Sequence, residues 1–266
     1  MLVHGQPGSG GDWSAMCAIL DGRFSVLAPD RPGWGDNSLP PTDLAGNADW
    51  MAGEIEAWGA PLPVTVVGHS LGGGIALAIA LDRPDLVGAL ILVGSVGVQM
   101  ALSAFDRVLA VPRLGHSVIR AGVASVRSGR RAAERLSGLP VVRHLTATLG
   151  QSPAVRALAW LDTQPITERA RSSFIVEQRA LLADTPSLER RLGLVGVPTA
   201  VVHGSLDHIV GRDATRLLAC LIPGAEWVSV PGEGHLLPIA SPETIAPLVE
   251  RYARLGGMRA VRTGGA

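Results

Sequence analysis

Short apolar runs alternate along the chain with longer segments in which apolar residues recur at helical spacing. The apolar runs predict buried strands at residues 1–3, 24–28, 64–67, 89–93, 199–202 and 227–230. The longer segments predict helices at residues 12–20, 44–58, 75–81, 213–221 and 242–255. This alternation favours an α/β fold, with a mostly parallel sheet and helices on both of its faces.

The alternation stops between residues 98 and 191, where the pattern predicts helices and no buried strand. We therefore expect a helical cap, or lid, at residues 98–191, inserted into a core formed by residues 1–97 and 192–256. Residues 257–266 are rich in glycine and arginine and are expected to form a flexible tail.

Composition excludes several classes of function. The chain has 266 residues with a formal net charge of zero, which allows a large core and argues against a general nucleic-acid-binding protein. All 23 basic residues are arginine, so a P-loop lysine, a Schiff-base lysine and a serine–lysine dyad are excluded. Cys17 and Cys220 are too few for a disulfide framework or a cysteine metal site, and we interpret them as small buried side chains.

The predicted cap has a charge bias that the net charge of the whole chain hides. Residues 98–191 contain 14 arginines and 7 acidic residues, a net charge of +7, which leaves −7 for the remainder. A basic cap resting on an acidic core is the interpretation we favour. The functional alternatives are an anionic substrate or contact of the arginine-rich cap with an anionic membrane surface.

Residues 86–105 form an uncharged stretch of 20 residues, which is long enough to span a bilayer. Glycine and polar residues interrupt this stretch, so a buried strand followed by a loop fits it better. No signal peptide is visible at the start of the chain. We therefore expect a cytoplasmic protein, unless the true N-terminus lies upstream of Met1.

Residues 68–72 read G-x-S-x-G between a predicted strand and a predicted helix. A serine at the tip of such a tight turn has a strained backbone and an exposed hydroxyl. The flanking residues must be glycine, because a Cβ there would collide with the strand and the helix. The pentapeptide could arise by chance in a chain with 33 glycines, but its position between strand and helix favours Ser70 as a nucleophile.

A serine nucleophile needs a general base and a third group that orients the base. His235 follows the last predicted strand and Asp207 follows the one before it, so both belong to the sheet edge that also carries Ser70. The chain order serine, aspartate, histidine is the order expected for this architecture. His208 and Asp213 are the alternatives. The other histidines are interpreted as structural (His4, His69, His203) or lie in the predicted cap (His116, His144).

An acyl-transfer site also needs N–H donors for the oxyanion of the tetrahedral intermediate. We expect one donor to be the backbone N–H of Leu71, directly after the nucleophile, and the other to be the N–H of Gln6, in the loop after the first strand. The glycines at residues 5–11 give this loop a superficial likeness to a phosphate cradle. It has no lysine and no following serine or threonine in the Walker position, which disfavours that alternative.

Together these residues resemble the α/β-hydrolase superfamily, in its serine-nucleophile branch with a helical cap domain. The resemblance covers nearly the whole chain through five motifs, at residues 4–8, 30–35, 68–72, 204–207 and 234–235. It implies hydrolysis of esters, lactones, amides or related carbonyl compounds, with no cofactor and no metal. Serine at residue 70 disfavours the branches that have aspartate there, the haloalkane dehalogenases and epoxide hydrolases. Members usually carry about two more strands before the first motif, so the N-terminal strands are expected to be missing from this sheet.

We therefore predict a serine hydrolase that cleaves a carboxylic ester, a lactone or a related carbonyl substrate through an acyl-enzyme. Acyl transfer, C–C bond hydrolysis and perhydrolysis by the same residues are alternatives. A non-catalytic binding module and a membrane-surface protein are alternatives of a different class. Aliphatic segments of the predicted cap, at residues 102–111 and 118–126, favour a small-molecule substrate with an apolar acyl or leaving group. We expect no nucleic-acid partner, and the pattern leaves the oligomeric state open.

Overall fold

Five parallel strands form a sheet in the part of the chain that the structure describes. The computed structural model describes residues 1–135, Trp160 and residues 167–263. The strands are β1 (Leu2–Val3), β2 (Val64–His69), β3 (Val87–Val93), β4 (Thr199–Gly204) and β5 (Glu226–Val230). They lie in the order β1-β2-β3-β4-β5, and each neighbouring pair is parallel. The predicted α/β fold is confirmed, and the carboxyl ends of the strands meet at one edge.

The described helices connect these strands and cover both faces of the sheet. They are α1 (Ser14–Leu20), α2 (Leu44–Trp58), α3 (Leu71–Asp82), α4 (Ala104–Leu109), α5 (Pro112–Arg135), α6 (Glu168–Arg191), α7 (Arg212–Leu221), α8 (Leu237–Ala240) and α9 (Ala246–Thr263). Helices α4, α5 and α6 lie between β3 and β4, so the predicted insertion is helical where it is described. His144 and residues 264–266 lie outside the described residues.

Alternate residues of the strands build two separate parts of the core. In β3, Leu90 and Leu92 pack in a cluster with the apolar faces of α2 and α3. Ala89 and Ile91 point the other way, into a cluster with α1 and α9. Every residue of β3 is buried, which explains why its sequence is a continuous apolar run without polar alternation.

The strand predicted at residues 24–28 is wrong. As the structure describes it, this segment forms no strand, and the backbone hydrogen bond from Leu2 N to Leu27 O, at 2.8 Å, joins it to β1. Because β1 contains only two residues, it offers too short an edge for a second ladder of hydrogen bonds.

The last helix continues beyond its predicted end at residue 255. A short 3₁₀ turn at Pro242–Thr244 precedes α9, which extends to Thr263. The pattern placed the end at the glycines that follow, but Gly256 packs against Gly88 of β3. A Cβ on Gly256 would lie 3.0 Å from the carbonyl carbon of Gly88, so this glycine allows close helix–sheet packing and does not end the helix.

Two further sequence predictions are decided by the position of the residues in the fold. Cys220 is exposed on the outer face of α7, so the interpretation as a buried side chain is wrong there, while Cys17 is half-buried. The uncharged residues 86–105 contain β3, a loop and the start of α4, as the strand-and-loop prediction requires. In the described part of the chain, no helix is long and apolar enough to span a membrane.

Candidate active site

The tight turn between β2 and α3 determines the position of Ser70. Ser70 has φ 54° and ψ −120°, and among the described residues it is the only non-glycine with positive φ. A Cβ on Gly68 would lie 2.4 Å from Gly72 O, and a Cβ on Gly72 would lie 2.2 Å from Val3 O. Both glycines are therefore required for backbone contact, which is the reason that the sequence pattern suggested.

Three strand ends bring Ser70, His235 and Asp207 together. Ser70 Oγ lies 3.1 Å from His235 Nε2, and His235 Nδ1 lies 2.9 Å from Asp207 Oδ2. The hydrogen-bond pattern assigns the proton to Nδ1, which donates to the carboxylate, so that Nε2 accepts from the serine hydroxyl. The two alternatives, His208 and Asp213, are exposed and form no hydrogen bond with these three residues.

Asp207 is held by backbone N–H groups as well as by His235. Its Oδ1 accepts hydrogen bonds from Ile209 N at 2.9 Å and Val210 N at 3.0 Å, which leaves Oδ2 for the imidazole. Burial by itself raises the pKa of Asp207, but the hydrogen bond from His235 and the two N–H groups outweigh it and lower the pKa. A carboxylate that stays ionised can stabilise a positive charge on His235.

His69 fixes the backbone of His235. Its Nε2 lies 2.8 Å from the carbonyl oxygen of His235, and the centroids of the two rings are 4.9 Å apart. The pKa of His69 is lowered to about 3, mainly by burial and in smaller part by the neighbouring His235. His69 is therefore neutral, and its Nε2–H donates to the carbonyl. The interpretation of His69 as structural thus gains a specific contact.

The end of β3 makes room for the pair formed by Asp207 and His235. A Cβ on Gly94 would lie 3.0 Å from Asp207 Oδ2 and 3.2 Å from His235 Nδ1. The next residue, Ser95, is buried and donates a hydrogen bond to Val96 O at 2.6 Å. No acidic residue follows β3 in the sequence before Asp106, and Asp207, which follows β4, lies against Gly94.

The two expected oxyanion donors lie close to Ser70. A Cβ on Gly5 would lie 3.1 Å from Ser70 Cβ, so the loop that carries Gln6 passes beside Ser70. Leu71 is the first residue of α3, where N–H groups have no partner within the helix and the helix dipole favours negative charge. Neither the Gln6 N–H nor the Leu71 N–H donates a hydrogen bond to another described residue.

A buried arginine holds the carbonyl groups of this loop. The Arg31 guanidinium donates to His4 O at 3.1 Å and to Gly5 O at 2.8 Å, and it pairs with Glu177 of α6. The His4 ring accepts from Arg31 N through Nε2 and donates to Gly5 O through Nδ1. Burial lowers the pKa of His4 well below its usual value, and the charge of Arg31 lowers it further, so the ring stays neutral.

Sequence analysis missed the residues of the insertion that support this loop. Glu177 contacts Arg31, and the next residue, Gln178, accepts a hydrogen bond from the Gln6 side chain at 2.7 Å. The available signal was weak: both are polar residues in a helix, and nothing in the pattern indicated that they are buried. No group of three histidine, cysteine or acidic side chains in the described ranges could hold a metal ion.

Comparisons with known proteins agree with this architecture. The model of the alpha/beta hydrolase fold family matches residues 1–242. RutD of Klebsiella pneumoniae (strain 342), named as a carbamate hydrolase, is 30% identical over 92% of this chain and 86% of its own length. The 2-hydroxymuconate semialdehyde hydrolase of Pseudomonas putida is 29% identical over 85% of this chain and 76% of its own.

A solved structure shows the same fold. The thermophilic esterase from Thermogutta terrifontis superposes with a TM-score of 0.70 at 22% identity, over 96% of this chain and 89% of the esterase. The likeness extends along nearly the full length of both chains. The protein therefore belongs to the alpha/beta hydrolase fold family and is an enzyme of the hydrolase class.

Proposed function

We propose that the protein hydrolyses a carboxylic ester or a related carbonyl compound through an acyl-enzyme on Ser70. One observation carries the proposal: Ser70, His235 and Asp207 are joined by hydrogen bonds of 3.1 and 2.9 Å in the order that nucleophilic catalysis requires. The strained backbone of Ser70 supports it, because such strain is concentrated at functional sites.

The mechanism follows from the role of each group. His235 Nε2 takes the hydroxyl proton as Ser70 Oγ attacks the carbonyl carbon, and Asp207 stabilises the imidazolium that forms. The N–H groups of Gln6 and Leu71 stabilise the oxyanion. His235 then gives the proton to the leaving alcohol, which departs as the acyl-enzyme forms. His235 next deprotonates a water molecule that attacks the acyl group, and the carboxylic acid leaves with Ser70 restored.

Turnover of p-nitrophenyl esters of increasing acyl length tests this proposal. The wild type is expected to hydrolyse part of the series, and Ser70→Ala is expected to lower kcat by at least about 10⁴-fold because the nucleophile is lost. Ser95→Ala is the matched control, since Ser95 is a buried serine at a neighbouring strand end. Unchanged hydrolysis by Ser70→Ala would refute the role of this serine.

The names of two relatives make carbamates and 2-hydroxymuconate semialdehyde the next substrates to examine. The relative of 30% identity is named for a carbamate and the relative of 29% identity for 2-hydroxymuconate semialdehyde, and a serine nucleophile with a general base can serve both hydrolyses. Product analysis with added methanol separates hydrolysis from acyl transfer, since transfer would yield the methyl ester. Measuring turnover of an ester, a carbamate and 2-hydroxymuconate semialdehyde side by side ranks the three hydrolyses.

We assign the helical insertion, residues 98–191, the role of a cap beside the site. Two contacts support this role: Gln178 binds the Gln6 side chain, and Trp160 Nε1 donates to Asp12 Oδ1 at 2.9 Å. Both contacts connect the insertion with the segment that follows β1. A small-molecule substrate with an apolar acyl group remains our prediction for the space that the insertion borders.

A second candidate function, contact with an anionic membrane surface, is favoured by one face of α5. Five exposed arginines of α5 fall within an arc of about 80° at 100° per residue; they are Arg113, Arg120, Arg127, Arg131 and Arg135. Phe105 and Leu114 are exposed nearby in the chain. We expect the protein to sediment with phosphatidylglycerol vesicles at low salt and to be released as the salt concentration rises. Lack of binding at low salt would exclude this contact.

A further inference from the structure

Three side chains connect the insertion with the loop that carries Gln6. Gln6 Nε2 donates to Gln178 Oε1 at 2.7 Å, and Gln178 Nε2 donates to Asp106 Oδ1 at 2.8 Å. Gln178 is buried on α6, and Asp106 lies in the first turn of α4. The relay therefore joins two helices of the insertion to the residue expected to stabilise the oxyanion.

Asp106 sets the direction of this relay. An ionised carboxylate only accepts hydrogen bonds, so Gln178 must turn its NH₂ group towards Asp106 and its oxygen towards Gln6. Gln6 must in turn present its own NH₂ group to Gln178. Asp106 is fixed independently, because its Oδ2 accepts from both Ser103 N and Ser103 Oγ at 2.6 Å.

The neighbouring residue of α6 holds the same loop from its backbone side. Glu177 pairs with Arg31, whose guanidinium donates to the carbonyl oxygens of His4 and Gly5. Two consecutive residues of the insertion thus determine the position of the loop, one through its carbonyl groups and one through the Gln6 side chain.

We propose that Gln178 and Asp106 are positioning residues for the oxyanion site, because their relay fixes Gln6 and with it the Gln6 N–H. The inference rests on the proposed acyl-enzyme function. The oxyanion forms only as the carbonyl is attacked, so a displaced donor lowers kcat and leaves KM nearly unchanged.

The relay is tested by removing it and then rebuilding it with different groups. Gln178→Leu is expected to lower kcat about tenfold, since small displacements of a catalytic donor have effects of this order or larger. Gln178→Glu places a second carboxylate opposite Asp106 and is expected to lower kcat similarly. Adding Asp106→Asn provides an amide donor for the new carboxylate, which still accepts from Gln6, and is expected to restore kcat to within about threefold.

Two control variants separate positioning from general effects on the insertion. Ser103→Ala removes only the Oγ donor at the start of α4, so Asp106 still accepts from the backbone N–H of residue 103 and keeps its contact with Gln178. Arg179→Ala changes an exposed residue next to Gln178 on α6. Both are expected to keep kcat within about twofold of the wild type, as surface changes usually do.

Labelling of Ser70 by a fluorophosphonate provides the second measurement. The final extent of labelling measures the fraction of chains with a folded site. The rate of labelling reports the reactivity of Ser70 and the contribution of the oxyanion donors. Equal rates and equal kcat for Gln178→Leu and the wild type would overturn the inference while leaving the proposed function intact. A double variant no faster than Gln178→Glu would also overturn the directional relay. A wild type that is not labelled would refute the proposed function itself, and this inference with it.

Discussion

Burial fixes the protonation of the residues around Ser70. His4 and His69 are buried and neutral, because desolvation lowers the pKa of each ring. Asp207 is buried too, but its hydrogen bonds outweigh desolvation and lower its pKa. Neutral histidines can donate and accept in fixed directions, while the ionised carboxylate orients His235.

Replacing Asp207 by asparagine tests the orientation of His235. The amide of Asp207→Asn can donate a hydrogen bond to His235 Nδ1. This contact would favour the tautomer that carries its proton on Nε2, and a protonated Nε2 cannot accept the proton of the Ser70 hydroxyl. We expect kcat to fall by about 10³–10⁴-fold with little change in KM, measured on the best ester of the panel. Asp213→Asn, at an exposed aspartate of α7, is the control. A loss below tenfold for Asp207→Asn would contradict the assigned role.

The buried histidines predict that stability falls on acidification. The folded pKa of His69, about 3, lies below the ordinary histidine value of 6.5, and the pKa of His4 is also well below it. Between these values the unfolded chain binds protons that the folded chain does not. The free energy of unfolding should therefore decrease as the pH falls below about 6.5, by up to about 1.4 kcal/mol per pH unit for each histidine.

Urea titrations between pH 4.5 and 8 measure this slope. His69→Gln cannot titrate, and its amide can still donate to the carbonyl of His235, so the slope should become smaller by about 1.4 kcal/mol per pH unit. His208→Gln, at an exposed histidine, is the control variant. An equal slope for His69→Gln and the wild type would show that His69 does not stay neutral.

Elements of the sheet edge were the most predictable part of the site. The strand before Ser70 and those before Asp207 and His235 could be identified as apolar runs, and parallel strands bring their carboxyl ends to one edge. The strand predicted at residues 24–28 was wrong, because the apolar residues of this segment have no neighbouring strand long enough for a ladder of backbone hydrogen bonds. The end of the last helix was predicted too early, because a glycine that allows close packing, such as Gly256, has the same sequence signal as a glycine that ends a helix.

The turn around Ser70 should tolerate no side chain at Gly72. The Cβ in Gly72→Ala would meet Val3 O at 2.2 Å, and this backbone atom of β1 can move only with the strand. We expect ester turnover to fall by on the order of 10²-fold and the protein to lose several kcal/mol in urea titrations. Gly53→Ala is the matched control, since a Cβ there meets nothing within 4 Å and should stabilise α2 by about 0.5–1 kcal/mol. Wild-type turnover in Gly72→Ala would contradict the close approach.

The whole molecule depends on contacts between the insertion and the core that no local pattern contains. Arg31 and Glu177 are 146 positions apart, and both are almost completely buried. Ser173 Oγ donates to Gly33 O at 2.8 Å, which adds a second contact along α6. Sequence spacing predicts which residues share a face of one element, but it cannot identify which buried charges meet across the molecule.

Breaking a buried ion pair should destabilise the protein far more than breaking an exposed one. Glu177→Gln leaves the charge of Arg31 without its buried counter-ion, and we expect a loss of about 3–5 kcal/mol in the free energy of unfolding. Arg191→Gln removes the exposed pair with Asp82, which also joins the insertion to the core, and should cost less than about 1 kcal/mol. Equal losses would indicate that the Arg31–Glu177 pair is not buried in solution.

The central claim is that Ser70 is a nucleophile activated by His235. A fluorophosphonate probe followed by peptide mapping tests it most directly, because the reagent forms a covalent bond with an activated serine. We expect one adduct per chain, located on Ser70, with labelling slowed by at least about 10³-fold in His235→Ala. An unlabelled wild type, an adduct on a different serine, or equal labelling of His235→Ala would contradict the account.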